Sequence, residues 1–218
     1  MKINLEIIDA VNIIAKDEIS DLRTKELVPK MVFRRRLTRA ARLVVEVVDK
    51  IGFENGRIIY GSAFGELNAS AKILNAISKD EMLSPTDFQN SVYNTAVSYL
   101  SILKNNKNEI LTISSGDNTS EKLLKIGAIK ALDGDEILLL STETINIENI
   151  DEINKCIDTL ETVVALKVKV TNEKATLDFP LKINPAYPKS IALLIELSNK
   201  FDKNTKNIIE VQIWIYPM

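Results

Sequence analysis

Ser115 is the residue best placed to act as a nucleophile. It follows an apolar run, Glu109-Ile-Leu-Thr-Ile-Ser114, that reads as a strand. It opens a polar turn, Ser115-Gly116-Asp117-Asn118, ahead of a helix expected from Thr119 to Leu132. A serine at a strand-to-helix turn lies close to backbone N–H groups, but its hydroxyl needs a base to become nucleophilic. Asp117 is the only acid near it in sequence, and an aspartate of ordinary pKa is a weak base for a hydroxyl. The plainer reading of the same residues is a capping turn, with Asp117, Asn118 or Thr119 as the cap.

The other candidates are weaker one by one. Arg34, Arg35, Arg36, Arg39 and Arg42 cluster near a helix start. Arginine makes forked contacts with phosphate oxygens, yet such a cluster also reads as a solvated helix end, and Arg39 and Arg42 can pair with acids of the same chain. Tyr93, Asn94 and Ser98 fall on the polar side of a helix that Ser84 and Pro85 open. Glu66 reads either as a catalytic acid or as a favourable charge at a helix start. Cys156 is the only cysteine, and with no neighbour to lower its pKa it reads as a structural thiol.

Composition narrows the classes further. The 218 residues include no histidine, which removes the commonest general base and the commonest metal ligand together. One cysteine allows no intrachain disulfide and no multi-cysteine metal site. A net charge of −2 gives no electrostatic case for nucleic acid. No apolar run is long enough to span a membrane, and Glu6 interrupts the apolar N-terminus, which does not read as a signal peptide. The expected location is the cytoplasm. The reading calls for no metal and no cofactor.

The elements that must position these residues alternate. Strands are expected at Lys2–Ile8, Arg57–Gly61, Glu109–Ser114 and Asp135–Ser141, with helices at Thr38–Ile51, Glu66–Lys79 and Thr119–Leu132. Between them one continuous helix is expected from Ser84 onward, with Phe88, Val92, Ala96, Leu100 and Leu103 on one face. A helix over Ile150–Leu160, strands at Thr162–Val170 (one face wet) and Thr176–Ile183, a helix at Pro188–Phe201 and a strand at Asn207–Tyr216 complete the chain. Strand and helix alternating through residue 141 argue for a mainly parallel sheet with crossover helices. Gly61-Ser-Ala-Phe-Gly65 follows a strand but lacks the spacing of either phosphate-binding fingerprint. The helix Leu123–Leu132 is apolar nearly all round, with only Lys125 and Lys130 polar, so it needs a cover from this chain or from another subunit.

Four stretches together carry a resemblance: Ser84-Pro85-Thr86 through Ser91-Val92-Tyr93-Asn94, Arg34-Arg-Arg-Leu-Thr-Arg39, Gly61-Ser-Ala-Phe-Gly-Glu66, and Gly134-Asp-Glu-Ile-Leu-Leu-Leu140. They resemble the short ketosynthase-like proteins, the β-ketoacyl synthase N-terminal-like family found beside fatty-acid-like and aryl polyene biosynthesis genes. Tyr93 stands where relatives commonly carry a histidine. The resemblance implies an α/β fold over residues 1–218 as a single domain. That fold is a thiolase-like half domain, a five-stranded, mostly parallel sheet with helices on both faces, with an extra C-terminal helix and strands.

The resemblance also implies roles. It puts Ser115, give or take a residue, where active relatives carry their nucleophilic cysteine. Their two catalytic histidines lie in a C-terminal half that these residues do not include. The implied function is a non-catalytic subunit similar to a chain-length factor, paired with a β-ketoacyl synthase and meeting acyl carrier protein. Relatives dimerise through the strand before the nucleophile turn, which places Ile110, Leu111, Thr112 and Ile113 at the subunit interface. Tyr93, Asn94 and Ser98 become candidates for lining an acyl tunnel, and Arg34, Arg35 and Arg36 for holding carrier protein or its phosphate. Two alternatives stay open: a serine acyl hydrolase or transferase using Ser115, and an acyl-binding module that works alone as a homodimer.

Overall fold

The structure is a computed structural model that describes residues 1–147, 158–178 and 180–213. The expected helix over 150–160 falls almost wholly outside the described residues, and Cys156 with it.

A single mixed sheet runs through the molecule. Its strands are β1 (Lys2–Ala15), β2 (Arg57–Gly61), β3 (Ile110–Ile113), β4 (Ile137–Thr144), β5 (Glu161–Thr171) and β6 (Asn207–Gln212), in the spatial order β3-β2-β4-β5-β1-β6. The sheet has six strands where five were expected. Strand β2 lies parallel to both β3 and β4, as crossover helices require. The pairs β4–β5, β5–β1 and β1–β6 are antiparallel, so the parallel part is confined to the half of the sheet built from residues 57–144. Strand β1 outruns the expected Lys2–Ile8 because it pairs along its length with β5.

Helices cover both faces. On one lie α3 (Arg39–Lys50) and α6 (Thr95–Lys104), packed against Ile58, Tyr60, Leu138 and Leu140. On the other lie α7 (Thr119–Lys130) and α8 (Lys189–Lys200), packed against Ile59, Leu139, Leu166 and Ile209. Odd and even residues of β4 thus enter opposite cores, which is why Ile137–Leu140 is an unbroken apolar run. Strand β5 departs from the expected half-wet alternation for the same reason. Its residues Glu161–Leu166 lie between both helix layers and are buried on each face, and only its far end is wet. The stretch Thr176–Ile183 forms no regular strand among the described residues; Thr176 and Leu177 hydrogen-bond to β6, their N–H groups sharing the Ile208 carbonyl.

The helix expected from Ser84 is two helices. Helix α5 spans Pro85–Asn90, with the Ser84 hydroxyl accepting from the Asp87 N–H at 3.2 Å as its cap, and α6 begins at Thr95. Between them, side chains take over the backbone's partners. The Ser91 hydroxyl donates to the Phe88 carbonyl at 2.9 Å, and the Thr95 hydroxyl donates to the Asn90 carbonyl at 3.1 Å. Such local bonds compete with helix propagation. Phe88 and Val92 consequently leave the apolar face they were assigned and are 65% and 49% exposed. Helix α4 (Leu67–Ser78) pairs with α5 as a hairpin, and neither helix buries a residue.

Helix α7 comes unusually close to the sheet. A Cβ at Gly127 would stand 2.4 Å from a methyl of Leu139, and one at Gly61 would stand 2.5 Å from a methyl of Leu123. Leu123, Leu124, Gly127 and Ala128 are buried in that contact, whereas Ile129 and Leu132 remain 45% and 49% exposed. The chain therefore supplies most of the cover that the apolar helix needs and leaves Ile129 and Leu132 outside it.

Gly127→Ala tests the close approach. Elsewhere in an exposed helix that change stabilises by up to about 1 kcal/mol. Here Leu139 is fully buried on a central strand, and the added methyl is expected to cost about 1–2 kcal/mol by overpacking. A raised urea midpoint in the variant would overturn this account.

Candidate functional site

The carboxyl ends of β2, β3 and β4 meet on one side of the molecule, where open parallel sheets place their ligand crevices. The loop Ser62–Glu66, the turn Ser114–Asn118 and the side chain of Glu143 converge there. Glu143 is fully buried. One carboxylate oxygen accepts from the Ala63 N–H at 2.6 Å; the other accepts from the Ser62 hydroxyl at 2.9 Å and the Phe64 N–H at 3.2 Å. The Ser62 hydroxyl in turn accepts from the Gly65 N–H at 2.8 Å. Burial pushes the Glu143 carboxyl above its ordinary range, and these donors oppose the shift. With both oxygens occupied, Glu143 shapes the loop rather than serving as a base.

Ser115 stands at the end of β3, half-buried. Its backbone N–H donates to the Thr119 hydroxyl at 3.0 Å, and that hydroxyl donates to the Gly116 carbonyl at 2.7 Å. Thr119 is therefore the side chain that closes the turn. Asp117 turns away to Lys189 at 3.5 Å. Among the described residues no acid, lysine or tyrosine hydrogen-bonds the Ser115 hydroxyl, which is the contact that would activate it as a nucleophile.

The five arginines separate into different jobs. Arg34 is half-buried and donates to the carbonyls of Val28 at 2.8 Å and Pro29 at 3.3 Å, so it secures a loop instead of standing free for phosphate. Arg35 and Arg36 are exposed. Arg39 forms a two-pronged pair with the buried Glu161, bonding one oxygen through Nε and the other through a terminal nitrogen at 2.7 Å. Arg39 also donates to the Ile19 carbonyl at 2.6 Å. Arg42 takes none of these partners.

Tyr93 and Asn94 are exposed in the break between α5 and α6, and the Tyr93 ring lies against Gly65 beside the exposed Phe64. Ser98 is half-buried in α6. The structure thus brings Tyr93 to the Ser62–Glu66 loop. Ile110, Leu111 and Thr112 are half-buried, Ile113 is buried, and β3 is an edge strand. Its ladder bonds to β2 include those accepted by the Glu109 and Ile113 carbonyls. In a parallel ladder alternate residues bond, so Ile110 and Thr112 direct their backbone groups outward.

Glu66 stands at the start of α4, where the helix-end reading places it, but away from solvent. It is 7% exposed, accepts from the Thr38 hydroxyl at 2.7 Å, and burial pushes its carboxyl up to about 7. Thr38 also caps α3 by accepting from the Ala41 N–H at 3.2 Å, so one hydroxyl joins two helix starts. Nothing in the local sequence marks Glu66 as buried, because the residues that cover it lie far away in the chain. Among the described residues no three or more acidic or cysteine side chains gather as a metal site, and no helix is long and apolar enough to cross a membrane.

A layered α/β half domain with its site at the parallel strand ends is the thiolase-like fold of ketosynthases. The model for the family described as Beta-ketoacyl synthase, N-terminal domain, matches residues 12–202, and the chain belongs to that family. It is similar to a chain in the structure of the ketosynthase ApeO in complex with its chain length factor ApeC from Xenorhabdus doucetiae. The TM-score is 0.67 and the identity 23%, over 91% of this chain and 92% of that one. A β-ketoacyl synthase from Burkholderia phymatum gives 0.54 and 11%, over 78% of this chain and 60% of that one. The ishigamide ketosynthase/chain length factor gives 0.53 and 14%, over 72% and 50%. At these identities the likeness is one of fold. No curated protein matches the sequence.

The raised Glu66 carboxyl has a signed consequence. Unfolded, it loses its proton near 4.5; folded, it keeps it to about 7. The native state then binds more protons than the unfolded state, so stability falls as pH rises from about 4.5 to 7 and levels off above. Glu66→Gln is expected to match the parent near pH 4.5 and to be more stable at pH 8, by on the order of 2–3 kcal/mol. Urea midpoints across that range measure it, and identical pH profiles for the two proteins would refute it.

Proposed function

We propose that this chain is a non-catalytic ketosynthase-like subunit, similar to a chain-length factor, that pairs with a β-ketoacyl synthase and helps shape the tunnel for a growing acyl or polyene chain. The observation that carries the reading is the state of Ser115. It occupies the strand-to-helix turn assigned to the nucleophile, and it has neither the thiol nor a base. The absence of histidine from all 218 residues supports the same conclusion. The free edge of β3 supports pairing, since an unpaired apolar edge strand is a template for another chain. The exposed Ile129 of α7 and Leu132 just after it are unburied apolar surface of the kind a partner covers.

In this reading Ile110–Ile113 form the centre of the interface, and Tyr93 with Asn94 faces the acyl chain. Arg35 and Arg36 are the remaining candidates for meeting acidic acyl carrier protein. The pathway is of the fatty-acid or aryl polyene type, and the place of work is the cytoplasm.

The mass of the protein in solution tests this, measured alone and after co-expression with the nearest encoded ketosynthase. A one-to-one complex is expected. A monomer or homodimer that ignores the ketosynthase would favour the stand-alone acyl-binding module. Thr112→Pro sharpens the test, because it removes an outward N–H while leaving the inward ladder in place. The variant should keep its far-UV circular dichroism and lose the complex. A fluorophosphonate probe should leave Ser115 unlabelled; labelling that disappears in Ser115→Ala would instead establish a serine enzyme.

A further inference from the structure

A cavity of about 310 Å³ lies beneath the α4–α5 hairpin, between it and the start of α3. Its charged lining consists of Glu18, Arg39, Arg42, Glu66, Lys72 and Asp87. Most of these groups are already engaged. Arg39 is held by Glu161 and balances Glu18 at 3.5 Å. Glu66 bonds Thr38, and burial keeps its carboxyl largely neutral up to about pH 7. Arg42 is the exception. Half-buried itself, it forms no ion pair among the described residues, and its Nε is buried without a hydrogen-bond partner.

A guanidinium cannot shed its proton to escape that situation. A buried donor left unmet is costly, and a charged donor more so. The group that satisfies it is an oxygen acceptor carrying negative charge, matched to the guanidinium fork. We propose that this cavity binds a small oxyanion, a carboxylate or phosphate, on Arg42. The volume sits at the small end of ligand pockets, and so polar a lining does not suit an acyl chain. Asp87 also lines the cavity, so the ligand has to present a neutral or hydrogen-donating group toward it. The site is separate from the β3 edge and stands whether or not a ketosynthase pairs there.

The test uses the full chain and the arginine Nε–H resonances in a nitrogen-15 NMR spectrum. Inorganic phosphate and malonate are titrated separately, each against sodium chloride at equal ionic strength. The resonance of Arg42, assigned by its loss in Arg42→Lys, is expected to move saturably with one or both anions. Saturation by phosphate alone or by malonate alone identifies the headgroup. Those of Arg35 and Arg36 are expected to drift without saturating. Arg42→Gln should weaken binding, read on backbone amides of α3, by about tenfold or more. Arg42→Lys, which keeps the charge and loses the fork, should fall between the two and covers the case in which Arg42→Gln fails to fold. No saturable shift with either anion in the parent protein would overturn the proposal. Undiminished binding in both variants would overturn it equally.

Discussion

The buried carboxylate of Glu143 holds the working end of this molecule together. It lies near the end of β4 and takes up donors from the loop that leaves β2, so two adjacent strand ends and their connection become one rigid unit. A buried carboxylate is costly unless its oxygens are satisfied, and here the loop's own N–H groups satisfy it. The loop geometry then follows from the requirement that Ala63, Phe64 and Ser62 all point inward. That geometry launches α4, sets Glu66 under the Thr38 hydroxyl, and brings Gly65 against Tyr93. The position of the α4–α5 hairpin, which buries nothing of its own, is inherited from this one anchor.

A second constraint works on the other face. Gly61 and Gly127 let α7 settle onto β2 and β4 more closely than any side chain would allow. This presses the Ser115–Thr119 turn against the sheet end. The turn is closed by Thr119 and the neighbouring acid is spent on Lys189. The turn at the end of β3 is thus held as architecture, with the Thr119 hydroxyl and the Asp117 carboxylate both engaged. That combination is what a subunit retained for shape would show.

The repeating elements were legible in the sequence because periodicity reports them directly. Strand β2 was read residue for residue, and α3, α4 and α8 to within one or two positions, since each has a clear stripe and a cap or stop. The failures share a physical cause. The helix from Ser84 was read as continuous because apolar spacing continues through Val92, while the side-chain bonds of Ser91 and Thr95 that interrupt it carry no periodicity. The wet face expected of β5 is dry because a second helix layer, distant in sequence, lies over it. The burial of Glu66 and the carbonyl partners of Arg34 stay hidden in the sequence for the same reason: both are tertiary facts. The strand–turn–helix pattern placed Ser115 at the end of β3, while the roles given to it and to the β3 edge rest on the resemblance.

Strand β1 has a bearing on how the protein comes into being. Residues 2–15 lie in the sheet between β5 and β6, paired with residues 161–171 on one side and 207–212 on the other. During synthesis β1 leaves the ribosome well before the strands it pairs with, and it waits while about 150 further residues are added, a separation that follows from its pairing with β5. The parallel unit from β2 to β4 is made of nearer contacts and is free to form in that interval, whereas the antiparallel half closes only when the distant strands arrive. In the meantime an apolar strand rich in isoleucine stands unpaired. Within this sheet the order of synthesis and the order of pairing differ, and β1 is a strand whose edges stay open until its distant neighbours arrive.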